Sequence, residues 1–176
     1  MRFVDIPEAA SFFRSLGFGP DGPLPGSRAE SRFKTKRFAY QSRLAKSADV
    51  AGALTAALDE GSDIMVWATQ LVFGDRSTEP SPPLHWLPYA RWREAQGPSG
   101  PLDDCPGHVF AAGERVEAAF VVEQAILMGW DALIGSKTRK PVVTLSHDDI
   151  IGVHARSRPA SLYLALGRLG LNELKD

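Results

Sequence analysis

The sequence predicts an α+β domain with a mainly antiparallel sheet of five or six strands and helices packed on one face. Three runs of β-forming residues, 131–135, 142–146 and 150–155, are separated by turn signals and read as a meander. An uninterrupted helical run over 113–128 precedes them, and its apolar residues need a sheet to cover. The 176 residues hold 44% hydrophobic and 23% charged residues, the composition of one globular domain rather than a disordered or coiled-coil chain.

The chain opens with a helix-start signal. Asp5 is a capping residue, Pro7 suits a first turn and Glu8 suits the positive end of the helix dipole. Phe12, Phe13 and Leu16 supply the apolar side, and Gly17 ends the helix. Residues 17–27 are rich in glycine and proline and predict a loop. Residues 28–46 carry Arg28, Arg32, Lys34, Lys36, Arg37, Arg43 and Lys46 against Glu30 alone, a net charge of +6 in a chain whose total is −1. Within them, residues 37–44 predict a strand.

Ser47 is a candidate cap for a helix over 48–60, where Val50, Leu54, Ala57 and Leu58 recur at helical spacing. Residues 63–73 predict a long strand and 74–83 a turn-rich segment. Residues 84–96 predict a helix that Pro88 either kinks or limits to its second half. Residues 97–107 predict a loop and 108–110 a short strand. After the helix and the meander, with turns at 136–140 and 147–149, Pro159 starts a last helix through residue 169. The chain reads as one domain: an N-terminal helix and basic segment (1–46), a core (47–157) and a C-terminal helix (158–176).

Composition excludes several chemistries. The single cysteine rules out an intramolecular disulfide framework. Cys105 lies beside Asp103 and Asp104, and neighbouring carboxylates disfavour negative charge on sulfur. No phosphate-loop, nucleophile-elbow or dinucleotide glycine motif occurs. No leader or membrane-spanning run is evident, so a cytoplasmic location is expected, with no membrane and no cofactor.

Five features remain as candidate sites. His147 stands between Ser146 and the acids Asp148 and Asp149, as a general base with an orienting acid, half a metal site or ordinary turn chemistry. His108 follows Pro106-Gly107 at the start of a strand, and with His147 and His154 it is a potential three-histidine set. Glu123 falls on the helical-wheel face of Val116, Phe120, Leu127 and Trp130, where a carboxylate needs a partner cation or a rim position. The basic segment, with Arg32, Lys34, Lys36 and Arg37 interleaved with aromatics, fits a solvated edge strand, an acidic partner or nucleic acid. Trp67 and Trp130 read as core. Trp86 and Trp92, near Tyr89 and Arg93, read either as a binding surface or as cover for the sheet.

Three motifs in order, Pro106-Gly107-His108-Val109-Phe110, Gly129-Trp130-Asp131 and Ser146-His147-Asp148-Asp149, resemble a group of small bacterial proteins of unassigned activity. The resemblance spans roughly residues 63–155. It transfers no catalytic residue, and it marks His108, Trp130, Asp131, His147 and Asp148 as positions to test.

By analogy of size and fold class, the expected function is a protein-binding module of immunity or inhibitor type that occludes a protein partner, for instance a toxin. Its expected contacts are Trp86, Trp92 and Arg93 together with the hairpin acids Asp148 and Asp149, a basic partner selecting the acids and an acidic one selecting Arg32, Lys34, Lys36 and Arg37. The alternatives are a metal-assisted hydrolase or nuclease using His108, Glu123, His147 and Asp148, and a nucleic-acid-binding module using residues 28–46.

Overall fold

The computed structural model describes residues 1–27, 32–40, 43–58, 61–71, 86–97, 100–138 and 141–175. In chain order the elements are β1 (Arg2–Val4), α1 (Ile6–Leu16), β2 (Phe18–Gly19), β3 (Gly22–Pro23), β4 (Lys34–Ala39), α2 (Arg43–Ala56), β5 (Ile64–Gln70) and α3 (Trp86–Ala95). Then follow β6 (Gly107–Phe110), α4 (Arg115–Met128), β7 (Asp131–Ser136), β8 (Val142–Ser146), β9 (Ile150–Ala155), α5 (Ala160–Arg168) and β10 (Asn172–Leu174).

The class is α+β with an antiparallel sheet, but the sheet is larger than expected. It has eight strands in the order β1-β6-β5-β7-β8-β9-β4-β10, and β2 and β3 form a separate small hairpin. The two extra members are the sheet's outer edges, β1 and β10. Each has three residues, too few for a periodic signal to register, and each is recruited by a longer neighbour.

Alternation along each strand separates two cores. Val66, Ile134, Leu145 and Val153 point to the face that α2, α3, α4 and α5 cover. Met65, Trp67, Leu133 and Val142 point to the other, where they pack with Phe13 of α1 and Phe18 of the β2–β3 hairpin. Helices therefore occupy both faces, and α1 is the one that departs from the one-sided expectation.

Local chemistry explains where the elements begin and end. Asp5 Oδ1 accepts from the Glu8 backbone N–H at 2.9 Å, capping α1, and Gly17 closes it in the left-handed region. Pro88 does not limit α3 to its second half, because the described helix already includes Trp86 and Leu87 ahead of it. The predicted strand at 37–44 is shifted: β4 runs from Lys34 to Ala39, and the backbone is helical from Arg43 onward, with a kink at Lys46. β4 is also not an edge, because it pairs with β9 on one side and β10 on the other. The predicted strand end at 72–73, the segment 74–83, Leu84 and the helix end at 59–60 lie outside the described residues.

The helical-wheel face proposed for α4 is not its core face. Val116 is 77% exposed, while Ala118, Val121, Val122, Ala125 and Ile126 are buried. The helix lies between the sheet and α2, so apolar residues occupy more than one side and the periodic contrast is lost.

Close packing between α1 and the sheet depends on Gly107. A Cβ there would fall 2.3 Å from Val4 Cγ2 and 3.2 Å from Ala9 Cβ. Gly107→Ala is expected to destabilise the fold by about 1–3 kcal/mol, the usual cost of overpacking, read as a lowered urea midpoint with an unchanged slope.

Candidate functional site

The helix-covered face holds a buried polar cluster. Tyr89 Oη lies 2.8 Å from His108 Nε2, and Arg93 Nη1 donates to Tyr89 Oη at 3.2 Å. Arg93 Nη2 donates to the Cys105 carbonyl at 3.0 Å, and the guanidinium sits 4.2 Å from the Phe3 ring centroid. The donor order Arg93 to Tyr89 to His108 makes Nε2 an acceptor and leaves the ring proton on Nδ1. Nδ1 has no partner that meets hydrogen-bond geometry, although the Val66 and Pro106 carbonyls favour a proton on the ring. Burial, reinforced by the Arg93 charge, pushes the His108 pKa down to about 3. The cluster ties α3 to β6 from inside the core.

This placement corrects part of the contact set. Trp86 and Arg93 are buried, and Trp92 is half-buried against His108 and Phe120. Trp86 and Arg93 cover the sheet and offer no contact surface. Glu123 is also accounted for locally. Its carboxylate accepts from the Ser47 hydroxyl at 2.9 Å at the kink of α2, where the Ser47 side chain is engaged, and of the two expected arrangements, a partner cation or a rim position, the half-buried Glu123 fits the second.

The other face carries an open polar site. Asp131 begins β7, directly opposite the end of β8, because Ala132 pairs with Leu145. Its Oδ1 accepts twice from His147, from the backbone N–H at 2.7 Å and at 2.9 Å from Nδ1. Asp148 Oδ1 lies 3.5 Å from His147 Nε2, on the ring's far side. The acid that orients His147 is therefore Asp131, with Asp148 the looser neighbour. Sequence adjacency favoured Asp148; the pairing of 131–135 with 142–146 across a short turn was the signal for Asp131.

The loop between β8 and β9 has three residues, with Asp149 in the left-handed region at φ 63°. That conformation suits an aspartate and closes a tight hairpin. The Asp148 N–H donates to Ser146 Oγ, Asp149 N–H to the Ser146 carbonyl, and Tyr40 N–H to the Asp149 carbonyl. Asp148 projects outward, with its side chain 70% exposed.

Beside this hairpin is a cleft of about 310 Å³, bordered by Asp21, Gln70, Asp131, Thr144, Ser146 and His154. A bulge at the β5–β7 pairing, between Ala68 and Gln70, lets consecutive residues Thr69 and Gln70 both reach it. His154 forms its floor. Nδ1 lies 2.9 Å from Thr35 Oγ1, Nε2 lies 3.2 Å from Thr144 Oγ1, and the ring packs edge-on against Phe18. Gly152 makes this possible, since a Cβ there would stand 2.2 Å from Thr144 Oγ1. Burial pushes the His154 pKa down to about 4.

The proposed hydrolytic set does not converge. His108 is buried on the helix-covered face, Glu123 is on α4 against α2, and His147 is at the hairpin with Asp131 and Asp148. His108 and His154 point to opposite faces, which removes the three-histidine set. Among the described residues no group of three His, Cys, Asp or Glu side chains is placed to hold a metal ion.

The basic residues are divided in the same way. Alternation along β4 puts Lys34 and Lys36 on one face and Arg37 on the other. Lys36 is ion-paired with Glu173 and lies over the Tyr163 ring. Arg32, Lys34 and Arg37 are exposed. Among the described residues no helix is long and apolar enough to cross a membrane. No family model, curated protein or solved structure matches the chain.

The two buried histidines make stability depend on pH. The unfolded chain takes up protons near the ordinary value of 6.5, whereas the folded chain resists to about 4 at His154 and about 3 at His108. Stability from this source is complete above pH 6.5 and is lost as pH falls towards 4. Urea midpoints should drop over that interval, and His154→Gln should flatten the drop in part, leaving the share due to His108.

Proposed function

We propose that this chain is a protein-binding module of immunity or inhibitor type, which occludes a basic partner with its acidic β8–β9 hairpin. The observation that carries the reading is the immobilisation of that hairpin. Asp131 grips His147 through two hydrogen bonds, and the Ser146 hydroxyl, the Ser146 carbonyl and the Tyr40 N–H hold the next two residues. A loop fixed in this way loses little freedom on association, so its contacts count almost in full towards affinity. Of the contact residues named from sequence, the reading keeps Asp148 and Asp149.

The acidic-partner and nucleic-acid versions have less support. β4 divides its cations between two faces and pairs one of them internally, so this strand offers no single basic stripe. A hydrolytic reading retains one observation: an imidazole oriented by a carboxylate is the arrangement of a general base. It requires saturable hydrolytic turnover that His147→Gln abolishes.

The binding reading is tested with the double variant Asp148→Ala/Asp149→Asn, in which asparagine keeps the left-handed turn, and a basic protein that co-purifies stoichiometrically with the wild-type chain. Affinity should fall about tenfold or more, chiefly through slower association, and the difference should shrink as salt is raised. An unchanged affinity in a folded variant sinks the assignment.

A further inference from the structure

The cleft beside the hairpin has a chemistry of its own. At about 310 Å³ it lies at the small end of the range for ligand pockets, enough for one side chain. Two acidic residues line it from different elements, Asp21 at the tip of the β2–β3 hairpin and Asp131 at the start of β7. Among the described residues neither lysine nor arginine lines it. Asp131 makes both of its hydrogen bonds through Oδ1, and Oδ2 has no donor among the described residues. Gln70, Thr144 and Ser146 add neutral acceptors around the same space.

This floor is built, since burial holds it in place. His154 is buried, its two ring nitrogens are hydrogen-bonded to Thr35 and Thr144, and Gly152 leaves room for Thr144 to reach it. With its pKa pushed down to about 4, the imidazole is neutral at pH 7 and does not oppose a cation overhead.

We propose that the cleft receives the guanidinium of an arginine side chain presented by the partner. The inference rests on the binding reading above and names the group that the site would recognise. A guanidinium fits better than an ammonium, because its planar fork of five donors can meet several acceptors on separate walls at once. The insertion point lies beside the exposed Asp148, so one basic segment can engage both.

The test uses the isolated chain and two probes, N-acetyl-arginine amide and its neutral isostere N-acetyl-citrulline amide, followed by backbone amide chemical shifts. The arginine probe should bind saturably and shift Thr69, Gln70, Ala132, Thr144 and Ser146, while the citrulline probe should not. Asp21→Asn, a change at an exposed turn, should weaken the arginine probe about tenfold. Equal binding of the two probes, shifts confined to other surfaces, or no saturable binding overturns the inference. The hairpin variant Asp148→Ala/Asp149→Asn separates the two readings, because neither residue lines the cleft: saturable binding of the arginine probe at the same cleft amides, and its preference over the citrulline probe, should survive in it. Partner binding that is lost in the hairpin variant but unaffected by Asp21→Asn overturns the cleft inference and leaves the hairpin reading standing.

Discussion

A single carboxylate oxygen, Asp131 Oδ1, joins the end of the helix-to-sheet connection to the tip of the β8–β9 hairpin. Gly129 ends α4 in the left-handed region, Trp130 drops into the core, and Asp131 emerges on the opposite face as β7 begins. From there it fixes both the backbone and the ring of His147. A hydrogen bond to a charged acceptor is stronger than a neutral one, and here two converge on one atom. The position of Asp148, the direction of the His147 ring and one wall of the cleft all follow from this grip.

The sheet's two faces divide the work. One is covered by four helices, and its charged groups find partners inside it, Arg93 in Tyr89 and carbonyl oxygens and Glu123 in Ser47, while the buried His108 Nδ1 is left without one. Burying an arginine is costly unless its donors find acceptors, and aromatic faces such as Phe3 offset part of that cost. Such a cluster fixes how α3 docks on β6. Among the described residues, the other face has α1 over one part and the small β2–β3 hairpin beside the remainder. Sheet side chains there include Thr144, Ser146 and Asp131, groups that remain able to meet a ligand.

Much of this was legible in the sequence where a signal is local. Asp5, Pro7 and Gly17 delimit α1 because capping and left-handed turns depend on individual residues. The meander 131–155 follows from β-forming runs between turns. What was hidden depends on partners distant in the chain. β1 and β10 exist because β6 and β4 offer free edges, which no three-residue pattern announces. The faces of α4 could not be read from a wheel because two neighbours bury it. Arg93, Trp86 and Trp92 resemble a binding surface in composition, and only the docking of α3 onto β6 shows that they face inward. At the candidate site, His147 and Asp148 were visible as a motif, Asp131 was marked by the Gly129-Trp130-Asp131 resemblance and His154 as one of three histidines, but what Asp131 and His154 contact follows from strand register.

Register also explains how the cations of β4 are divided. Seven cations in nineteen residues imply a strong field if they share a surface. A strand sends neighbours to opposite sides, so Lys36 neutralises Glu173 on one face while Arg37 projects from the other. The acidic hairpin does the reverse. Asp148 and Asp149 lie in a turn, outside the alternation, and Asp131 approaches the same turn from the adjoining strand. Fewer charges, gathered by a turn and held by hydrogen bonds, make a more directional surface than many charges divided by a strand.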